Sequence, residues 1–142
     1  MNKRTQIGDY RIIEQLGCGG AGEVFLATPI NDKKFANAGE PVAIKCYNER
    51  VLSAPNQLDR IRREFEIGSQ LASPHLVHMH ECNIGGVDGP YLVMEYIDGM
   101  PLSQWIQMFH PTSEALLVRT LTCVARAIAA LRTECAAIRS RS

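Results

Sequence analysis

Four glycines fall within the ten residues "LGCGGAGEVF" (Leu16 to Phe25), and the run then becomes β-branched and aromatic. Glycine weakens regular structure, so such a cluster marks a backbone that bends sharply or comes close to something. A phosphate group is the leading candidate, because glycines let backbone N–H groups approach its oxygens with no Cβ in the way. Gly17, Gly19 and Gly22 fit G-x-G-x-x-G, a spacing used by two unrelated architectures. In a dinucleotide-binding unit the last glycine opens a helix. Here it opens "EVFLATP", which is β-rich and closed by Pro29, so a strand–loop–strand flap fits better.

A flap over phosphates needs a cation beneath it. Lys45, in "PVAIKCYN", would neutralise phosphate charge from a neighbouring strand. Such a lysine needs an anionic partner, and the helix that follows offers Glu64 and Glu66. At ~100° per residue, Glu64 lies roughly 60° from Ile61, on the apolar, inward side, and Glu66 roughly 140° away, towards solvent. A carboxylate turned inward requires a partner, and Lys45 is the one expected.

The elements that must position these groups follow from pattern. Strands are predicted at Tyr10 to Gly17, Glu23 to Ile30 and Pro41 to Asn48, with the polar stretch Asn31 to Glu40 as a surface loop. From Asn56 the period becomes helical, with Leu58, Ile61, Phe65, Gly68 and Ala72 recurring at three- and four-residue steps. Strands return at Leu76 to Ile84 and Pro90 to Ile97, joined by the turn "GGVDG". "LSQWIQMF" reads as a short amphipathic helix with Trp105 in its core face. A longer helix starts at Thr112 or Ser113, a capping residue, and carries Leu116, Thr120, Val124, Ala127 and Leu131 along one face.

Composition narrows the class. The 142 residues are 46% apolar and 21% charged, with 15 basic and 15 acidic side chains, as in one ordinary globular domain. Zero net charge gives no support for nucleic-acid or anionic-membrane binding. "RIRREF" reads as a solvated helix face. The five cysteines are scattered without metal-ligand spacing, Cys18 is a small filler in the flap, and His75, His78 and His80 belong to a strand start and hold no metal. With no apolar segment after the basic start, and no run approaching the ~20 residues of a membrane span, the expected location is the cytoplasm.

Several stretches together resemble one family. "LGCGGAGEV" looks like the glycine-rich loop of protein kinases, "VAIK" (Val42 to Lys45) is identical to the kinase third-strand signature, and "SPHLV" and "YLVMEYIDG" resemble the segments around the fourth and fifth strands of bacterial-type (Hanks-type) serine/threonine kinases. The matches keep family order from about Asp9 to Ile106. The resemblance implies an α+β fold: a kinase-like small lobe of five antiparallel strands plus helix C (residues 1–97), then a hinge, helices D and E of an incomplete large lobe (98–131) and a divergent tail (132–142). It implies ATP as ligand, with Leu16, Val24 and Ala43 roofing the adenine and Gly17, Gly19, Gly20 and Gly22 holding phosphates. Lys45 and Glu64 would be the catalytic pair, Met94 the gatekeeper, and the backbone from Glu95 to Ile97 the hinge contacting adenine.

The sequence also departs from the family. Phosphoryl transfer there uses an aspartate base in H-R-D, and an asparagine and the D-F-G aspartate on magnesium. This sequence has no aspartate after Asp98 and no asparagine after Asn83, and His110 sits in "FHPTS". "TCVARAIAAL" resembles helix E, but beyond Leu131 the sequence reads "RTECAAIRSRS". The expectation is a truncated kinase that is inactive alone and binds ATP without the magnesium of full-length relatives. A non-catalytic module that pairs with a protein partner or another kinase lobe is the alternative, as is a decayed gene product. Helix E, lacking its usual cover, is expected to drive self-association.

Overall fold

The computed structural model describes residues 4–71, 73–108 and 113–141. Along the chain run β1 (Gln6–Ile7), β2 (Tyr10–Gly19), β3 (Gly22–Pro29), β4 (Val42–Tyr47), α1 (Glu49–Leu52), α2 (Gln57–Gln70), β5 (Met79–Asn83), β6 (Tyr91–Glu95), α3 (Leu102–Met108) and α4 (Glu114–Arg141). The strands form one antiparallel sheet in the order β1-β2-β3-β4-β6-β5.

Alternation along β4 organises both faces of that sheet. Val42, Ile44 and Cys46 enter the main core with Phe25, Ala27 and Val93, and Ala36 from the loop before β4 closes over them. Complete burial of Ile44 and Val93 contributes about 2 kcal/mol each. The opposite face carries Ala43, Lys45 and Tyr47, and α2 lies on the β5 side of it with Ile61 and Gly68 buried. Gly68 lets the helix come close: a Cβ there would sit 2.6 Å from Met79 Sδ.

The sheet has six strands, not the expected five. The extra strand, β1, is two residues long and has no periodicity to read. A polar clasp secures it: Asp88 accepts the Gly8 N–H at 2.8 Å and an Arg4 N–H at 3.0 Å. These two bonds, the Gly8 one first, hold the Asp88 carboxyl below its ordinary pKa. Its stabilising effect is therefore present above about pH 4 and lost as pH falls through the depressed value. Asp88→Ala is expected to cost about 1 kcal/mol in urea unfolding at pH 7, with a smaller difference from wild type at pH 3. An equal cost at both pH values overturns this.

Other boundaries moved for local reasons. The strand expected from Leu76 starts at Met79, because the Leu76 N–H turns back to the Ser73 carbonyl at 3.2 Å. Helix α1 was not anticipated; Asn48 caps it by accepting the Val51 N–H at 2.9 Å. α4 passes Leu131 and runs on to Arg141, since "RTECAAIRSR" contains no Gly or Pro to stop it. Trp105 is only partly buried, and no residue of α3 is fully so. Ala72, Phe109, His110 and Thr112 lie outside the described residues.

The expected stripe on α4 is only partly exposed. Leu116 and Val124 are 39% and 46% accessible, but Thr120, Ala127 and Leu131 are partly buried, and Leu131 meets the α2 side of the molecule. Leu117, Val118, Leu121 and Ile128 are exposed as well.

Candidate functional site

Strand register assembles the candidate residues. Gly17 pairs with Val24, Val24 with Lys45, and Lys45 with Leu92; beside this row, Leu26 pairs with Ala43 and Ala43 with Met94. Directly paired residues share a face, so Val24, Ala43, Lys45 and Met94 lie together on the face opposite the main core. Ala43 is buried, and Val24 and Met94 are partly buried. Leu16 stands apart: it sits at the register shift between Gln15 and Gly17 and is 42% exposed.

The Lys45 ammonium meets the Glu64 carboxylate at 2.7 Å, on Oε1. Helical period turns Glu64 towards the sheet and leaves Glu66 exposed, as the sequence indicated. The pair is half-open to solvent, with side-chain exposures of 24% and 38%. Two neighbours were not foreseen. Tyr47 donates its hydroxyl to Glu64 Oε2 at 3.0 Å, and its ring lies 4.9 Å from the Lys45 ammonium. Burial first, and then the Glu64 carboxylate, push the Tyr47 hydroxyl well above the usual phenol range. The signal was available, since Tyr47 is two residues from Lys45 on one strand. Asn48 donates its side-chain amide to the Gly20 carbonyl at 3.1 Å and its backbone N–H to Ala21, tethering the tip of the flap.

The glycines of the flap divide into two kinds. Gly22 has φ +145°, and a Cβ there would lie 1.9 Å from the Cys46 carbonyl oxygen. Gly17, Gly19 and Gly20 have open space where a Cβ would stand. Among the described residues, nothing crowds a side chain at those three positions.

At the other end of the site, the Glu95 N–H is engaged by the His78 carbonyl at 2.9 Å, and Ile97 is 56% exposed. A cavity of about 500 Å³ opens behind the ion pair, lined by Glu64, Ile67, Gly68, Leu71, Met79 and Leu131 among others. His80 stacks on Phe35 at 4.7 Å, and burial, then His78, lowers its pKa. Among the described residues, no group of three or more His, Cys, Asp or Glu side chains is arranged to hold a metal. Cys18 is exposed. Among the described residues, no helix is long and apolar enough to cross a membrane.

A curled antiparallel sheet with one helix whose glutamate reaches the lysine of a central strand is the small lobe of a kinase fold. Residues 10–138 match the family model described as the protein kinase domain. The chain is 28% identical over 126 residues to the serine/threonine-protein kinase Pkn1 of Myxococcus xanthus, covering 89% of this chain and 17% of that protein. It is 32% identical over 108 residues to the serine/threonine-protein kinase PknE of Mycobacterium bovis, covering 75% and 18%. The crystal structure of the Mycobacterium tuberculosis PknI kinase domain superposes with a TM-score of 0.72 at 22% identity, over 90% of this chain and 50% of that one. The chain belongs to the protein kinase family. Its relatives are bacterial serine/threonine kinases, and it corresponds to the N-terminal region of their kinase domain.

Proposed function

We propose that this chain is the ATP-binding portion of a serine/threonine protein kinase. Residues 1–97 would be the small lobe with its hinge, 98–131 the start of the large lobe, and 132–142 a divergent extension. Gly17, Gly19, Gly20 and Gly22 would admit the phosphates beneath the β2–β3 flap, and Lys45, oriented by Glu64, would neutralise their charge. Leu16, Val24 and Ala43 would cover the adenine, with Met94 behind it. Glu95 would offer its carbonyl, its N–H being engaged, and Ile97 its backbone.

The observation that carries this reading is the 2.7 Å Lys45–Glu64 pair on the face shared with Val24 and Ala43. The open space beside Gly17, Gly19 and Gly20 supports it, since it leaves room for a ligand to approach the backbone there. ATP therefore fits the residues present. Magnesium, which the family uses to offset charge on the transferring phosphate, finds no ligand set among the described residues. The role assigned to these residues is capture and orientation of the nucleotide. Transfer of its γ-phosphoryl group to a Ser or Thr hydroxyl, and the protein that carries that hydroxyl, belong to the complete kinase.

A nucleotide titration of the purified chain, read by thermal shift with and without magnesium, tests the reading. Wild type is expected to gain stability with ATP, and Lys45→Met to bind at least about tenfold more weakly, because an unneutralised triphosphate loses its main cation. No ATP response in wild type overturns the reading. It would favour a non-catalytic interaction module, for which the exposed α4 residues Leu117, Val118, Leu121 and Ile128 offer a surface.

A further inference from the structure

We infer that Tyr47 is a positioning residue: it holds the Glu64 carboxylate turned inward so that the Lys45 ammonium stays set for a triphosphate. This rests on the nucleotide reading of the same site. The argument starts from how little a lone, half-open ion pair fixes. Glu64 and Lys45 both have long, freely rotating side chains and are 38% and 24% exposed, and such a pair contributes little by itself. Tyr47 removes that freedom twice. Its hydroxyl fills the second carboxylate oxygen, Oε2 at 3.0 Å, while Lys45 fills Oε1 at 2.7 Å. Glu64 is thus gripped at both oxygens by two side chains of one strand, and α2 is pinned to β4 at that point.

The ring acts on the cation as well. At 4.9 Å from the ring centre, the Lys45 ammonium is held by the aromatic ring as well as by the Glu64 carboxylate at 2.7 Å. The strand provides the geometry, since residues 45 and 47 share a face and Tyr47 lies across from Gly22 in the flap. With its hydroxyl pushed above the usual phenol range, by burial first and Glu64 second, Tyr47 remains a donor throughout the neutral range. A residue that merely filled space would need neither contact.

The test separates positioning from packing. In the chain carrying isotope-labelled tyrosine, the Tyr47 ring-carbon NMR signal, identified by its loss in Tyr47→Phe, is expected to shift in Glu64→Gln without nucleotide. Tyr47→Phe keeps the ring and its cation contact, and is expected to bind ATP about fivefold more weakly than wild type. Tyr47→Leu, which loses both contacts, should fall further, so Phe acts as a partial rescue. In a double-mutant cycle, Tyr47→Phe should have no further effect on ATP affinity once Glu64 is Gln. A ring-carbon signal indifferent to Glu64→Gln overturns the inference with or without nucleotide. So does a Tyr47→Phe affinity equal to that of wild type while Lys45→Met is impaired. Failure of wild type to bind ATP is a different outcome: it overturns the nucleotide reading, and the positioning role with it.

Discussion

Gly22→Ala is expected to destabilise the fold by about 3 kcal/mol or more, while Gly20→Ala changes stability by less than about 0.5 kcal/mol. Both residues belong to the same flap, and both fit a loop that meets phosphate. Their surroundings differ. Gly22 adopts φ +145°, where an L side chain is strained, and an added Cβ would lie 1.9 Å from the Cys46 carbonyl oxygen and 2.9 Å from its carbon. Those are backbone atoms of β4, the strand at the centre of the sheet, and Cys46 is itself buried in the main core. No rotamer relieves the overlap; β3 must lift from β4. At Gly20 nothing stands within 4 Å of the added atom. Urea unfolding of the two variants beside wild type provides the measurement, and a Gly22→Ala midpoint equal to that of wild type would refute the account. Gly19→Ala is the complementary probe, expected to keep the wild-type midpoint because nothing stands within 4 Å of the added atom, while on the proposed nucleotide reading it weakens ATP binding.

How much of this was legible in the sequence follows from which residues announce themselves by period. The meeting of Lys45 with Glu64 follows from a strand period of two and a helix period of 3.6, which need no tertiary knowledge beyond the two elements being neighbours. The sheet follows from its apolar alternation and its turns. Neither period reveals β1, which is held by Asp88 from a distant turn, nor the start of β5, decided by one backbone bond at Ser73. Tyr47 was passed over because a tyrosine in a strand reads equally well as core, and only coordinates distinguish a buried phenol from one reaching a carboxylate. Leu16 shows a second kind of detail hidden from pattern: it lies at a register shift, between Gln15 and Gly17, that periodicity alone cannot locate. The α4 stripe was drawn from an ideal helix, and packing against the α2 side buries its far end more than its beginning.

A second arrangement of the same chemistry governs behaviour in alkali. Tyr10 is fully buried, donates its hydroxyl to Glu81 at 2.8 Å, and has the Lys33 ammonium 5.3 Å from its ring centre. Tyr91, 3% exposed, meets it edge-on. Burial is the leading cause that pushes both hydroxyls upward, with Glu81 next, and burial likewise pushes the Cys46 thiol up to about 11. Each group keeps its proton in the folded chain at a pH where the unfolded chain releases it. Their stabilising effect is therefore complete below the ordinary values, about 8.5 for a thiol and 10 for a phenol, and is lost as pH rises towards the folded values. Beyond pH 10 Tyr10 alone removes about 1.4 kcal/mol per pH unit, Tyr91 acts in the same direction, and Cys46 has by then already removed more than 1 kcal/mol. Against a native stability of about 5–15 kcal/mol, unfolding is expected as pH rises above about 11, with phenolate absorbance rising together with loss of the fold. Tyr10→Phe lowers stability at pH 8 but should flatten the alkaline slope by about 1.4 kcal/mol per pH unit. Smooth phenolate titration around pH 10, with the circular dichroism of the fold unchanged, would show that water reaches these hydroxyls and that the sheet does not enclose them.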